Sequence, residues 1–264
     1  VSPVTAQEVQ ALRRATGVGM MDAKRALEAS SGDFDKAVQW LREQGLARAA
    51  ARADRVATEG AVAVVREGPV AAIVELRSET DFVAKSAEFV NLADELAALV
   101  AARGEAALAE RQDEIDRLGA IFKENISVGR VARLEAGEGE VIDTYLHQQA
   151  GRGVNGVIVV LAGGDQALAH EVALNVAFSR PAYLRREDVP PDEVEAERQT
   201  IEAISRKEGK PEAALPKIIE GRLNGWFRER VLLEQPYIHD EKRSVAQLLG
   251  DATVTRFAQV VIGP

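Results

Sequence analysis

The sequence predicts an α+β protein with an N-terminal three-helix module and two related units, each a small antiparallel sheet with helices, the second carrying an antiparallel helical hairpin. Three observations carry this. Early in the chain, apolar side chains recur at helical spacing between capping and breaking residues. A pair of strand-length apolar runs followed by a helical stripe then occurs twice, once from Ala61 and again from Val141. Finally, two polar helical stretches are joined by Gly209-Lys210-Pro211, as in a helical hairpin. The expected division is 1–45 for the module, 46–60 for a linker, 61–140 for the first unit and 141–264 for the second, with the hairpin at about 190–233.

Thr5-Ala6-Gln7-Glu8 fits a capping box ahead of Val9 and Leu12, which starts a first helix running to about Ala15. Thr16-Gly17-Val18-Gly19 breaks it. Met20 to Ala29 reads as a second helix, Ser31-Gly32 as another break, and Asp33 as the cap of a third helix carrying Phe34, Val38 and Leu41. Neighbours on a helix point about 100° apart, so Met20 and Met21 are not expected to enter one small core together. One of the two should be exposed and the other buried. From Gly45 to Gly60 the chain turns to Ala and Arg, with nothing large enough to build a core, and reads as a partly helical linker.

Ala61-Val62-Ala63-Val64-Val65 and Ala71-Ala72-Ile73-Val74-Glu75-Leu76 read as a hairpin closed by Arg66-Glu67-Gly68-Pro69. Thr80 can then cap a helix bearing Phe89, Leu92, Leu96 and Leu99, with Asp81 favoured in its first turn by the helix dipole. A further helix spans about Asp113 to Glu124. In the second unit, Val141 to His147 and Gly156 to Leu161 are the strands, and Asp165 caps a helix with Leu168, Val172, Val176 and Ala177 that stops before Pro181. Pro191 to Glu208 and Pro211 to about Leu233 form the helical hairpin. The first of these has only Val194, Ile201 and Ile204 to bury, so much of its surface faces water or a partner. Val254 to Ile262 is a closing strand.

The 264 residues are 46% hydrophobic and 28% charged, enough for one large or two to three small domains. No apolar run approaches the roughly 20 residues of a membrane span, and Val1 to Gln10 has neither a basic nor an apolar leader region. A cytoplasmic protein without membrane contact is expected. With no Cys there is neither disulfide nor thiolate chemistry. A net charge of −9 argues against DNA and general nucleic-acid binding, leaving only a local basic patch around Arg48, Arg52 and Arg55.

Enzyme signatures are weak. Gly151, Gly153 and Gly156 spell Gly-x-Gly-x-x-Gly, yet the β-branched run that follows is a strand, not the helix N-terminus a dinucleotide needs. A hairpin turn is the better reading. There is no phosphate-cradling Gly-x-x-x-x-Gly-Lys-Ser/Thr and no Gly-x-Ser-x-Gly elbow, and His147, His170 and His239 lack metal-ligand spacing. No cofactor, metal or direct nucleotide binding is expected; the chain reads as a binding protein.

The remaining signal is Ser78-Glu79-Thr80-Asp81-Phe82-Val83-Ala84-Lys85, an acid and a large aromatic at a strand-to-helix junction. Spacing leaves two roles for Phe82: it lies seven residues before Phe89 and can continue the core stripe, or it can stand exposed beside the helix start. Thr-Asp-Phe-Val-Ala-Lys resembles the signature of the elongation factor Ts family, guanine-nucleotide exchange factors of elongation factor Tu. Leu12 to Lys24, Leu232 to Tyr237 and Ser244 to Leu249 resemble the same family, which also carries a ubiquitin-associated-like bundle at its N-terminus and a coiled coil at the place of the helical hairpin. The resemblance implies partner contacts at Thr80, Asp81, Phe82 and Val83, at Arg13, Met20 and Met21, and at His147. It further implies binding to elongation factor Tu, both GDP-bound and nucleotide-free, with no catalytic chemistry of the chain's own. The stretch Gln148 to Asn155 looks longer than the family's short glycine-rich tip, which weakens the carry-over to His147. A ubiquitin-like-binding adaptor is the alternative of another class, and a nicotinamide enzyme built on Gly151 to Gly156 is a third.

Overall fold

The computed structural model describes residues 4–16, 18–52 and 55–263, with the backbone alone for residues 45–52. Gly17, in the first expected break, and the side chains of Arg48 and Arg52, in the suggested basic patch, lie outside the described residues. The architecture is α+β. Helix α1 (Ala6–Thr16) starts at the expected capping box: Glu8 accepts the Thr5 amide at 2.7 Å and the Thr5 hydroxyl accepts the Glu8 amide at 3.3 Å. After α2 (Met20–Ala29), Ser31 and Gly32 both take positive φ, and Asp33 caps α3 (Phe34–Arg52) through the Lys36 amide. Their core is small and alanine-rich, built from Val9, Leu12, Ala23, Ala26, Leu27 and Ala37. The helical backbone of α3 continues to Arg52, through the first part of the segment read as a linker.

Strands β1 (Glu59–Glu67) and β2 (Val70–Ser78) form the hairpin turned at Gly68-Pro69. The helical segment after it differs from expectation. Instead of one helix from Thr80, there is a single turn, α4 (Asp81–Ala84), and then a separate helix α5 (Ala87–Arg103). Ser86 makes the break: its hydroxyl donates to the Val83 carbonyl at 2.8 Å and accepts the Phe89 amide at 3.4 Å, capping a new helix where the old one would have continued. A 3₁₀ segment (Glu105–Arg111) leads to α6 (Gln112–Phe122), and β3 (Ser127–Glu135), which the sequence reading lacked, pairs with β2 to complete a sheet ordered β1-β2-β3. An ion pair between Arg42 of α3 and Asp113 of α6 ties the N-terminal helices to this unit.

In the second unit β4 (Glu140–Gln149) and β5 (Arg152–Ala162) precede α7 (Gln166–Ser179), whose N-cap Asp165 accepts the Leu168 amide at 2.8 Å. The stretch after His147 is not a long loop. Both strands run on to a two-residue turn at Ala150-Gly151, each with positive φ, so the tip is short and the hairpin long. Helices α8 (Pro191–Lys207) and α9 (Leu215–Arg230) pair beyond α7; Ile201 is buried while Ile204 stays exposed. Rather than starting at Pro211, the second helix is preceded by a 3₁₀ turn at Glu212–Ala214 and ends at Val231 in extended backbone. A small ladder of β6 (Pro236–Tyr237) and β7 (Asp240–Ser244), also not expected, leads through α10 (Val245–Leu249) to β8 (Thr253–Val261), giving the order β4-β5-β8.

The two sheets pack face to face, and the strand period of two explains how. On β1, Ala61 and Ala63 face α5 while Val62 and Val64 face the other sheet. On β5, Val157, Val159 and Leu161 face α7 while Ile158 and Val160 face the first sheet. The layers are therefore helix, sheet, sheet, helix. Close contact between the sheets depends on glycine: a Cβ at Gly153 would stand 2.1 Å from the Val62 carbonyl oxygen, and one at Gly156 would stand 2.7 Å from methyls of Val62 and Val64. The Gly-x-Gly-x-x-Gly spelling thus marks one turn glycine and two packing glycines on a strand. Polar groups lock the same contact. Glu75, 2% exposed, bonds Arg130 through its backbone amide and guanidinium and is also held by Arg77, while Arg130 reaches the Val261 carbonyl on the second sheet. Burial alone would raise the Glu75 pKa; the bonds from Arg130 and Arg77 outweigh it and hold the group at about 2.

Gly153→Ala should destabilise the fold by about 1–3 kcal/mol through overpacking against backbone. Gly225→Ala, in α9 with open space where its Cβ would stand, should stabilise by about 0.5–1 kcal/mol. Urea unfolding midpoints of the two variants check the contrast.

Candidate partner-binding surface

Strand β2 ends at Ser78, which is buried and donates to the Thr80 carbonyl at 3.0 Å, turning the chain outward. Thr80 is extended, with φ −121° and ψ 153°, and its hydroxyl accepts the Val83 amide at 3.4 Å. The single turn that follows splits its side chains between core and water. Val83 and Ala84 are buried against α5 and the first sheet, so they anchor the turn from beneath. Phe82 points the other way and is 83% exposed. Of its two possible roles, the core one is ruled out by the break at Ser86, which shifts Phe82 out of phase with Phe89 although their spacing fits one helix.

Asp81 pairs with Lys85 one turn on, and the hydrogen bond from that ammonium lowers the carboxyl pKa, with the charge of Arg152 adding to the effect. Arg152 comes from the β4–β5 tip of the other unit. It is buried, donating to the Gly60 carbonyl at 2.6 Å and to Glu59 at 2.8 Å, so the second sheet's hairpin is fastened to the first sheet close to the Phe82 turn. An aromatic this large exposed on a cap anchored from below is a surface that can give up its hydration to a partner.

The N-terminal residues come together as well. Arg13, Met20 and Met21 line one groove with Gln10 and Lys24. Both methionines are exposed, at 61% and 64%, so the expectation that one would be buried is wrong. From α2 the core of this module takes Ala23, Ala26 and Leu27, and Met20 and Met21 occupy the first turn, beyond its edge. Phe82 does not line this groove. Unbranched thioethers on a surface suit irregular partner shapes.

His147, near the end of β4, is exposed. Its Nδ1 lies 3.4 Å from the Tyr145 hydroxyl and the two rings stack at 6.5 Å. It lines a groove shared with Arg152, Phe178, Arg180 and Ile238. Phe178, 78% exposed at the end of α7, was not singled out from sequence. The signal was there: it follows Ala177, the last residue of the buried stripe, and so falls off the apolar face. Among the described residues, no group of three or more His, Asp or Glu side chains is placed to hold a metal ion, and no helix is long and apolar enough to cross a membrane.

Comparison with known proteins gives a consistent result. The family profile described as Elongation factor TS matches residues 79–264. The chain is 45% identical over 273 residues to the elongation factor Ts of Clavibacter michiganensis subsp. michiganensis, covering 98% of each chain. It is 45% identical over 273 residues to that of Mycobacterium ulcerans and 44% identical over 278 residues to that of Mycobacterium avium, again with 98% of each chain covered.

Phe82→Ala should leave stability within about 0.5 kcal/mol of the parent, as for an exposed side chain free of core contacts. Phe89→Ala, seven residues on and fully buried, should cost about 3–5 kcal/mol. Chemical denaturation of the two variants measures both; an equal loss would return Phe82 to the core.

Proposed function

The chain belongs to the elongation factor Ts family, and from that premise we propose that it binds elongation factor Tu carrying GDP, promotes GDP release and leaves a nucleotide-free complex that GTP can enter. The observation that carries the reading is Phe82, exposed on a one-turn helix that Val83 and Ala84 anchor in the core. In this mechanism the Thr80-Asp81-Phe82-Val83 turn meets the partner's nucleotide domain, and the ring of Phe82 wedges between elements there. The partner's hold on Mg²⁺ and phosphate loosens as a result. Arg13, Met20 and Met21 provide a second contact, His147 a third, and the helical hairpin extends the grip. The chain supplies binding energy and no bond-making chemistry; the nucleotide stays in the partner.

The energetics are of suitable size. A buried aromatic hot spot supplies 2 kcal/mol or more, and each tenfold acceleration needs about 1.4 kcal/mol off the release barrier. Binding is reciprocal: whatever factor this chain takes from GDP affinity, GDP takes from the affinity of the chain. The −9 net charge is in keeping with a protein partner in place of nucleic acid.

Stopped-flow release of a fluorescent GDP analogue from elongation factor Tu tests the reading. The chain should accelerate release strongly, and Phe82→Ala should lower that acceleration by at least about tenfold. Acceleration untouched by the substitution would keep the function and remove Phe82 from it. No acceleration by the unmodified chain would overturn the function.

A further inference from the structure

The turn that presents Phe82 is too short to hold itself. A four-residue helix has no stability of its own, and the usual reinforcement of a helix start is missing. In a capping box, an acid at the third helical position reaches back to the amide of the N-cap residue; here that position is Val83, which has no acceptor. The acceptor comes from elsewhere in the chain. Glu124 follows directly on the C-cap of α6, where Lys123 takes the left-handed conformation with φ 61° and turns the backbone toward the end of β2. One oxygen of the Glu124 carboxylate accepts the amides of Glu79 and Thr80 at 3.0 and 3.1 Å, and the other accepts the Thr80 hydroxyl at 2.5 Å.

The direction of that last bond matters. Because the Thr80 hydroxyl donates its proton to Glu124, its lone pairs are turned toward the Val83 amide, which donates to it at 3.4 Å. A relay thus runs from the carboxylate through the hydroxyl into the first turn of the helix that carries Phe82. The contact is reciprocated: the Glu79 carboxylate accepts the Asn125 amide at 2.6 Å, and Arg55 bonds both Glu79 and the Lys123 carbonyl at 3.3 Å. Two acids in separate connecting segments thus each accept amides from the other's segment.

We propose that Glu124 is a positioning residue for nucleotide exchange, which completes the capping box of the Phe82 turn from a distance of 44 residues in sequence and holds the ring ready for the partner. The inference rests on the exchange function proposed above. Its physical basis is pre-organisation: a wedge already held in its bound direction loses less entropy on binding, so more of its contact energy reaches the partner.

The test is a double-mutant cycle on the full chain, with stopped-flow release of a fluorescent GDP analogue from elongation factor Tu as one readout and amide hydrogen exchange of the free chain as the other. Glu124→Ala should lower the maximal acceleration about tenfold, as expected when charge-assisted bonds are lost. In the Phe82→Ala background the same change should have no further effect, because Glu124 acts through that ring. Glu124→Gln, whose amide oxygen still accepts the two backbone amides but whose NH2 cannot accept the Thr80 hydroxyl, should lose less of the acceleration than Glu124→Ala. In the free chain, Glu124→Ala should speed exchange at Thr80 and Val83 about tenfold while leaving Phe89 unchanged. Should Glu124→Ala not fold, Thr80→Val removes the relay from its other end and is expected to speed amide exchange at Val83 in the free chain about tenfold while leaving Phe89 unchanged; unchanged exchange at Val83 would overturn the positioning role.

A Glu124→Ala chain that accelerates release like the parent, or that loses equally with and without Phe82, would overturn the proposal. If the unmodified chain does not accelerate release at all, the exchange function fails instead. Glu124 is then judged by hydrogen exchange alone, and unchanged rates at Thr80 and Val83 would overturn its positioning role too.

Discussion

The close approach of β5 to β1 is the contact on which the rest of the structure depends. Gly153 leaves room for the Val62 carbonyl and Gly156 for the methyls of Val62 and Val64, so two three-stranded sheets share one interior. Neither sheet could bury both of its faces alone. With the sheets stacked, Ile73, Ile158 and Val160 lose all contact with water, and the helices are left to cover the outer faces. The same approach carries the β4–β5 tip to the edge of the first sheet, where Arg152 bonds Gly60 and Glu59. The Phe82 turn therefore stands where elements of both units meet, and its exposure is set by the scaffold around it.

Exposing a phenylalanine is costly unless a partner covers it, and the local chemistry shows how the chain keeps Phe82 out of the core. Val83 and Ala84 fill the space beneath the turn, and the Ser86 cap ends α4 before the apolar stripe begins again at Phe89. The ring therefore cannot fold back along α5. Met20, Met21 and Phe178 are likewise large apolar groups left on the surface at the ends of helices whose buried faces are already filled. Several such groups on a chain with a packed interior fit a protein that grips its partner at separated points.

Much of this was legible in the sequence because it is local. Caps at Thr5, Asp33 and Asp165, the Gly68-Pro69 turn and the short apolar runs of β1, β2 and β5 carry their signals within a few residues. What escaped was set by distant partners. Strand β3 carries arginines and Gly129 on a half-exposed edge, and its identity as a strand comes from pairing with β2. The polar β7 has no apolar residue to mark it. The break at Ser86 was hidden by a seven-residue spacing that suits an unbroken helix, though the serine cap was present to be read. Both methionines were expected to share out between core and surface because the smallness of an alanine-lined core is visible only once its helices are packed. Glu124 had no local mark, since its partners lie in another element.

In the proposed mechanism the Phe82 ring itself enters the partner. The most direct measurement places 4-fluorophenylalanine at position 82 and follows its fluorine resonance with a soluble paramagnetic relaxation agent, before and after addition of elongation factor Tu. Strong relaxation in the free chain, and a shifted resonance protected from the agent in the complex, is the predicted result. A ring equally accessible in a complex shown to have formed would contradict the account.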